Sequence, residues 1–153
     1  MAKFTPIKTL AICLVFLVCL TACSKKDGIQ DEILLVRGNA ETEASATPSV
    51  AFGTIYGGYS SLYKKLAFNI NWADLSSEPT GSSFYFANGL LAGRLVKTFQ
   101  VTEGSKKGLT AGDMILSDEQ AAELLNGNWY YTVNTLNFPD GEIRGKVEVV
   151  KTQ

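Results

Sequence analysis

The chain has 153 residues, 14 basic against 15 acidic side chains, three cysteines and no histidine. That length suits one domain, and about 130 residues bury roughly two-thirds of their unfolded surface, enough for a core without metal or disulfide staples. The missing histidines exclude zinc or copper sites of the usual nitrogen–sulfur type, and basic runs no longer than a Lys pair argue against nucleic acid as a partner.

The chain begins with Lys3 and Lys8, then an apolar run from Leu10 to Leu20 interrupted only by Cys13 and Cys19. The run is shorter than the roughly 20 residues a spanning helix needs, and it suits the core of a signal peptide. It ends in Leu20-Thr21-Ala22-Cys23, which resembles a bacterial lipobox. Small residues let the peptidase reach the backbone, and the thiol takes the diacylglyceryl chain. The alternatives are a conventional signal peptide with an incidental cysteine, or a short anchor helix. The expected organisation is a lipoprotein signal peptide over 1–22, a lipidated Cys23 with a polar tether over 23–30, and a domain over 31–153. Several acyl chains on one residue give stable anchoring, since each buried CH₂ adds about 0.8 kcal/mol. Without Lys3 and Lys8 the balance is 14 − 2 = 12 basic to 15 acidic, or −3, so nothing polybasic draws the domain to anionic lipid. The membrane is therefore met through acylated Cys23, in the cell envelope. Ser24 after the cysteine resembles signals that permit transfer to an outer membrane, which leaves either its periplasmic face or the cell surface.

Ile33 to Val36 reads as a short strand closed by Arg37-Gly38, and Asn39 to Ser49 as a polar loop. Val50 to Tyr56 alternates weakly and ends at Gly57-Gly58, read as a turn. Leu66, Phe68, Ile70 and Trp72 then alternate with Ala67, Asn69 and Asn71, a clear period of two. Ser76 to Ser83 reads as a loop, Phe84 to Ala87 as a short aromatic strand, Leu95 to Val101 as another strand, and Glu103 to Gly108 as a charged turn. Asp118 to Leu125 is the one helix. Ser117 and Gln120 form a capping box, Asn126-Gly127 supplies the left-handed stop, and Ala121, Leu124 and Leu125 give an apolar stripe.

Two long strands close the chain, Gly127 to Thr135 and Glu142 to Val149, joined at Pro139-Asp140-Gly141 by what reads as a tight turn with Gly141 at positive φ. Ile143, Gly145, Val147 and Val149 share a core face, and Glu142, Arg144, Lys146 and Glu148 share a solvent face. Trp129 and Tyr131 lie on one side of the first strand and Tyr130, Thr132 and Asn134 on the other, so one set must be core.

The residues Tyr130, Asn134, Thr135, Pro139, Gly141, Glu142, Ile143, Arg144 and Gly145 resemble the C-terminal signature of the CHRD domain, the module named after chordin, with looser similarity back to about Ile33. Members of that family usually carry a His-x-His-Gly segment in mid-domain and a histidine in a Tyr-x-Asn-x-His-Thr strand. Here Asn134 stands in place of the latter, Thr132 in place of the preceding Asn, and Phe84-Tyr85-Phe86 lies about where the first motif would fall. The resemblance implies the same architecture as the strand pattern: an all-β, antiparallel, Greek-key-like β-sandwich of about seven to eight strands with one short helix.

Little here predicts catalysis. There is no Ser–His pair, free thiol or Gly-x-Ser-x-Gly elbow. An oxygen-only calcium site would have to use Asp113, Asp118 or Glu119, and a glycosidase pair would have to come from Glu78, Asp113 or Glu142. Glu142 and Arg144, two apart on a strand, form either a recognition pair or a structural one. Phe84, Tyr85, Phe86, Tyr130 and Asn134 form the candidate binding surface, an aromatic and amide platform for sugar or peptide, with core packing as the alternative. The expected function is a membrane-anchored envelope lipoprotein with a non-enzymatic, cofactor-free binding or scaffold domain for a protein or glycan partner. The alternative is an envelope hydrolase or metal-dependent enzyme on the same scaffold.

Overall fold

The structure, a computed structural model, describes residues 30–42, 45–87 and 93–151. The leader and Cys23 lie outside the described residues, as does the Asn88-Gly89 break. Asp31–Gln153 forms one compact unit.

Among the described residues ten strands and one helix follow in order: β1 (Ile33–Glu41), β2 (Phe52–Ser60), β3 (Lys65–Ala73), β4 (Pro79–Phe86), β5 (Arg94–Phe99), β6 (Glu103–Gly104), β7 (Gly108–Ile115), α1 (Asp118–Leu125), β8 (Trp129–Thr135), β9 (Ile143–Lys146) and β10 (Glu148–Val150). All pairings are antiparallel, in the order β5-β4-β8-β9-β1-β2-β3-β7-β6, with β10 also on β1. The sheet folds back on itself. Phe68 of β3 meets Phe84 of β4 edge-on at 4.8 Å, and the Ser82 hydroxyl of β4 donates to Thr110 Oγ1 of β7 at 3.3 Å. Inner faces of the two halves thus enclose one core, in the all-β antiparallel manner expected of a sandwich, with more strands than the seven or eight anticipated.

The period of two in β3 is realised in full: Leu66, Phe68, Ile70 and Trp72 are buried and Lys65, Ala67, Asn69 and Asn71 exposed. Trp129, Tyr131 and Val133 are the inward set of β8. Ile143, Gly145 and Val147 are buried, as their alternation predicts. The helix has its Ser117–Gln120 capping box and ends at Asn126, with Gly127 at φ 69°. Its stripe differs from expectation. Leu125 faces out, and Glu123 is buried in its place, held by Arg94 at 2.7 Å.

Several boundaries also move. Gly38 does not close β1, which continues through the stretch read as a loop to Glu41, and Gly57-Gly58 is no turn but the middle of β2. At Gly38 and Gly57 a Cβ would collide with a neighbouring backbone carbonyl, that of Lys146 and of Ala67 respectively. Glycine here allows close approach inside a strand rather than a change of direction. β4 starts at Pro79, within a segment read as loop. β6 and β7 were not anticipated, because Thr110, Gly112 and Met114 on the inner side of β7 form too weak an apolar series to register as a strand.

Candidate functional site

The β8–β9 connection is not a two-residue turn. Pairing between β8 and β9 ends at Val133–Ile143, and a wider connection than a tight turn, residues 136–142, follows the end of β8. The Phe138 carbonyl accepts from the Thr135 and Gly141 amides, and Glu142 N–H donates to Val133 O at 2.8 Å. Gly141 has φ 119°, so the positive-φ expectation holds although the turn type does not.

Glu142, expected on the solvent face, is completely buried. It leaves the alternation because it precedes β9 and closes the loop. Its Oε1 accepts from Ser49 Oγ at 2.5 Å and Ser76 N at 2.7 Å, and its Oε2 from Ser76 Oγ and Thr135 Oγ1, both at 2.9 Å. Thr47 Oγ1 donates to its backbone carbonyl at 2.7 Å. Burial pushes the carboxyl pKa up, but the hydrogen bonds outweigh it and hold the group below its ordinary value. One carboxylate therefore ties together the segments around Ser49, Ser76 and Thr135. Ser49 and Ser76 carry no motif, so only the family signature pointed here.

Glu142 and Arg144 do not pair. Arg144 lies over the Tyr130 ring, 4.6 Å from its centroid, and Tyr130 stacks on Tyr85 at 5.1 Å and 7°. The structure thus divides the predicted aromatic platform. Tyr85 and Tyr130 are half-buried on the outer side, whereas Phe86, opposite Trp129, packs against the core with Arg94 covering its ring at 5.3 Å. Phe84 is fully buried against Phe68, Phe99 and Trp129. Asn134 is turned into the loop, its Oδ1 accepting from Thr132 Oγ1 at 2.8 Å and its Nδ2 donating to Pro139 O at 2.5 Å. Asn134, expected on a binding surface, instead braces the loop.

The carboxylates considered for calcium or for acid–base work do not converge. Asp113 pairs with Lys65 at 3.3 Å, Asp118 with Lys64, and Glu142 has only hydroxyl and amide partners. Among the described residues no three His, Cys, Asp or Glu side chains are grouped to hold a metal, and no helix is long and apolar enough to cross a membrane.

A shallow trough crosses the outer side of β1, β2 and β3. One part, about 660 Å³, is lined by Arg37, Asn39, Thr54, Tyr56, Lys146 and Glu148. A second, about 250 Å³, is lined by Phe52, Asn71, Trp72 and Lys107, and Thr54 belongs to both. Sequence reasoning did not single this surface out. The signal was Asn69 and Asn71 recurring every second residue in a strand, where asparagine is disfavoured.

The family model for the CHRD domain matches residues 35–147. No curated protein and no solved structure matches the chain.

Proposed function

We propose, from the premise that this chain belongs to the CHRD domain family, that it is a membrane-anchored envelope lipoprotein whose domain binds or scaffolds a partner without catalysing a reaction. The observation that carries this reading is the state of Glu142. The signature's own carboxylate is sealed from solvent with four donors on its two oxygens, so it has neither the access nor the free lone pairs that acid–base work requires. The signature builds a framework, and the framework presents outward faces. Leu20-Thr21-Ala22-Cys23 supports acylation at Cys23, with the domain outside the cytoplasm.

The test is fractionation of cells producing a C-terminally tagged chain, beside a Cys23→Ala variant. The unaltered protein is expected with the membranes and labelled by radioactive palmitate, and the variant unlabelled and released. Equal labelling and membrane retention of the variant would refute the anchor.

A further inference from the structure

We infer that the trough over β1, β2 and β3 is a binding site for a carboxylate-bearing polysaccharide, which deepens the binding-module reading and rests on it. Side chains facing this surface fall into rows fixed by the pairing register. Asn39 of β1 stands opposite Thr54 of β2, which stands opposite Asn71 of β3; in the next row Arg37 is opposite Tyr56, and Tyr56 opposite Asn69. All six are exposed, and the three amides, the Thr54 hydroxyl and Tyr56 make no side-chain hydrogen bond to described residues. Asparagine is depleted from strands because its amide competes for the backbone. Three of them on neighbouring strands, facing outward and unused by the fold, form a set of paired donors and acceptors of the kind that matches vicinal hydroxyls.

Two rings flank this amide field. Tyr56 is 62% and Phe52 53% exposed, and they share one face of β2, roughly 13 Å apart at the rise of an extended strand. Exposed aromatic faces set along a groove suit the C–H faces of pyranose rings. Charge then selects among glycans. Arg37 is matched by Glu148 at 3.6 Å, and Lys65 by Asp113. Glu41 stands opposite Arg144 in the register. Lys146 lines one part of the trough and Lys107 the other, and neither has an ion-pair partner among the described residues. The face carries a surplus of positive charge on a domain that is negative overall, which complements uronate groups.

A peptide is the less suitable occupant. Extended peptides dock by adding a strand to a sheet edge, and β2 and β3 are both paired on either side. Their backbone groups are spent, so the ligand is read by side chains alone.

The test uses the full chain purified in detergent, run through native gels containing polygalacturonate, alginate, neutral dextran or poly-glutamate. Retardation by an acidic polysaccharide is expected, weakened by about 0.5 M NaCl, with none by dextran or poly-glutamate. Tyr56→Ala and Asn71→Ala, whose side chains support nothing in the fold, should each weaken binding about tenfold. Lys146→Gln should weaken it severalfold and flatten its salt dependence. Migration unchanged by both acidic polysaccharides overturns the assignment. Equal retardation by poly-glutamate overturns it too, since charge alone would then suffice, and so does full binding by Tyr56→Ala and Asn71→Ala. Binding in detergent is independent of acylation, so failure here and failure of the fractionation test are separate results.

Discussion

Glu142→Gln changes one charge and almost nothing in shape, and its cost follows from the four donors around the carboxylate. If the glutamine oxygen takes the place of Oε1, it still accepts from Ser49 Oγ and Ser76 N, though each bond loses its charge assistance. The amide nitrogen then meets Ser76 Oγ and Thr135 Oγ1, which both donated to the carboxylate. Ser76 Oγ and Thr135 Oγ1 already accept from Asn137 Nδ2 at 3.4 Å and Phe138 N at 3.2 Å, so a hydroxyl that also accepts from the new amide is left with its own hydrogen unpaired. A mispaired buried polar group costs about 1–3 kcal/mol. We expect a loss of about 2 kcal/mol at pH 7, or roughly 8 °C in Tm for a domain of this size.

The pH dependence supplies the sharper check. The folded carboxyl titrates below the ordinary value of 4.5, so between those values the folded protein binds fewer protons than the unfolded one. The stability Glu142 contributes is complete above 4.5 and is lost as pH falls through the folded value. Urea unfolding from pH 7 to pH 3 should therefore show the wild type converging on Glu142→Gln at the acid end. No gap at pH 7, or a gap of the same size at pH 3, would refute the reasoning.

Gly141→Val should cost about 2–3 kcal/mol, because a β-branched residue is strained at φ 119° and its Cβ would sit 3.0 Å from Thr132 Cβ; an unchanged melting temperature would contradict the loop geometry. Phe84→Ala should cost about 3–5 kcal/mol by opening a void among Phe68, Phe99 and Trp129. Tyr130→Ala on the next strand should cost clearly less, since it removes only a half-buried stack, and paired thermal melts that reversed this order would reverse the inside and outside of β4 and β8.

The sequence is legible where one local rule acts alone. Leu66 to Trp72 alternate because one side of β3 is core and the other water, and Ser117 with Gln120 marks a helix start whatever lies around it. It is misleading where distant backbone decides. Gly57 and Gly58 carry the composition of a turn, but the demand on Gly57 comes from the Ala67 carbonyl of the next strand. Glu142 falls on the polar side of its strand's alternation, yet its role is set by Ser49 and Ser76, which lie 93 and 66 residues away. The aromatic run divides for a related reason: Phe84 and Tyr85 are adjacent, so the pleat that buries one must turn the other outward. No composition rule says which.

β1 is joined along its whole length to β2, which follows it, and on its other side at Leu35 to Arg37 to β10 and at Ala40-Glu41 to β9, which come last in the chain. Any tension applied ahead of Asp31 therefore runs along a strand clamped on both sides by antiparallel neighbours. Such a load is shared among many hydrogen bonds at once and must shear them together, instead of peeling them one by one. The strand that opens the domain is thus also one of its most fully paired.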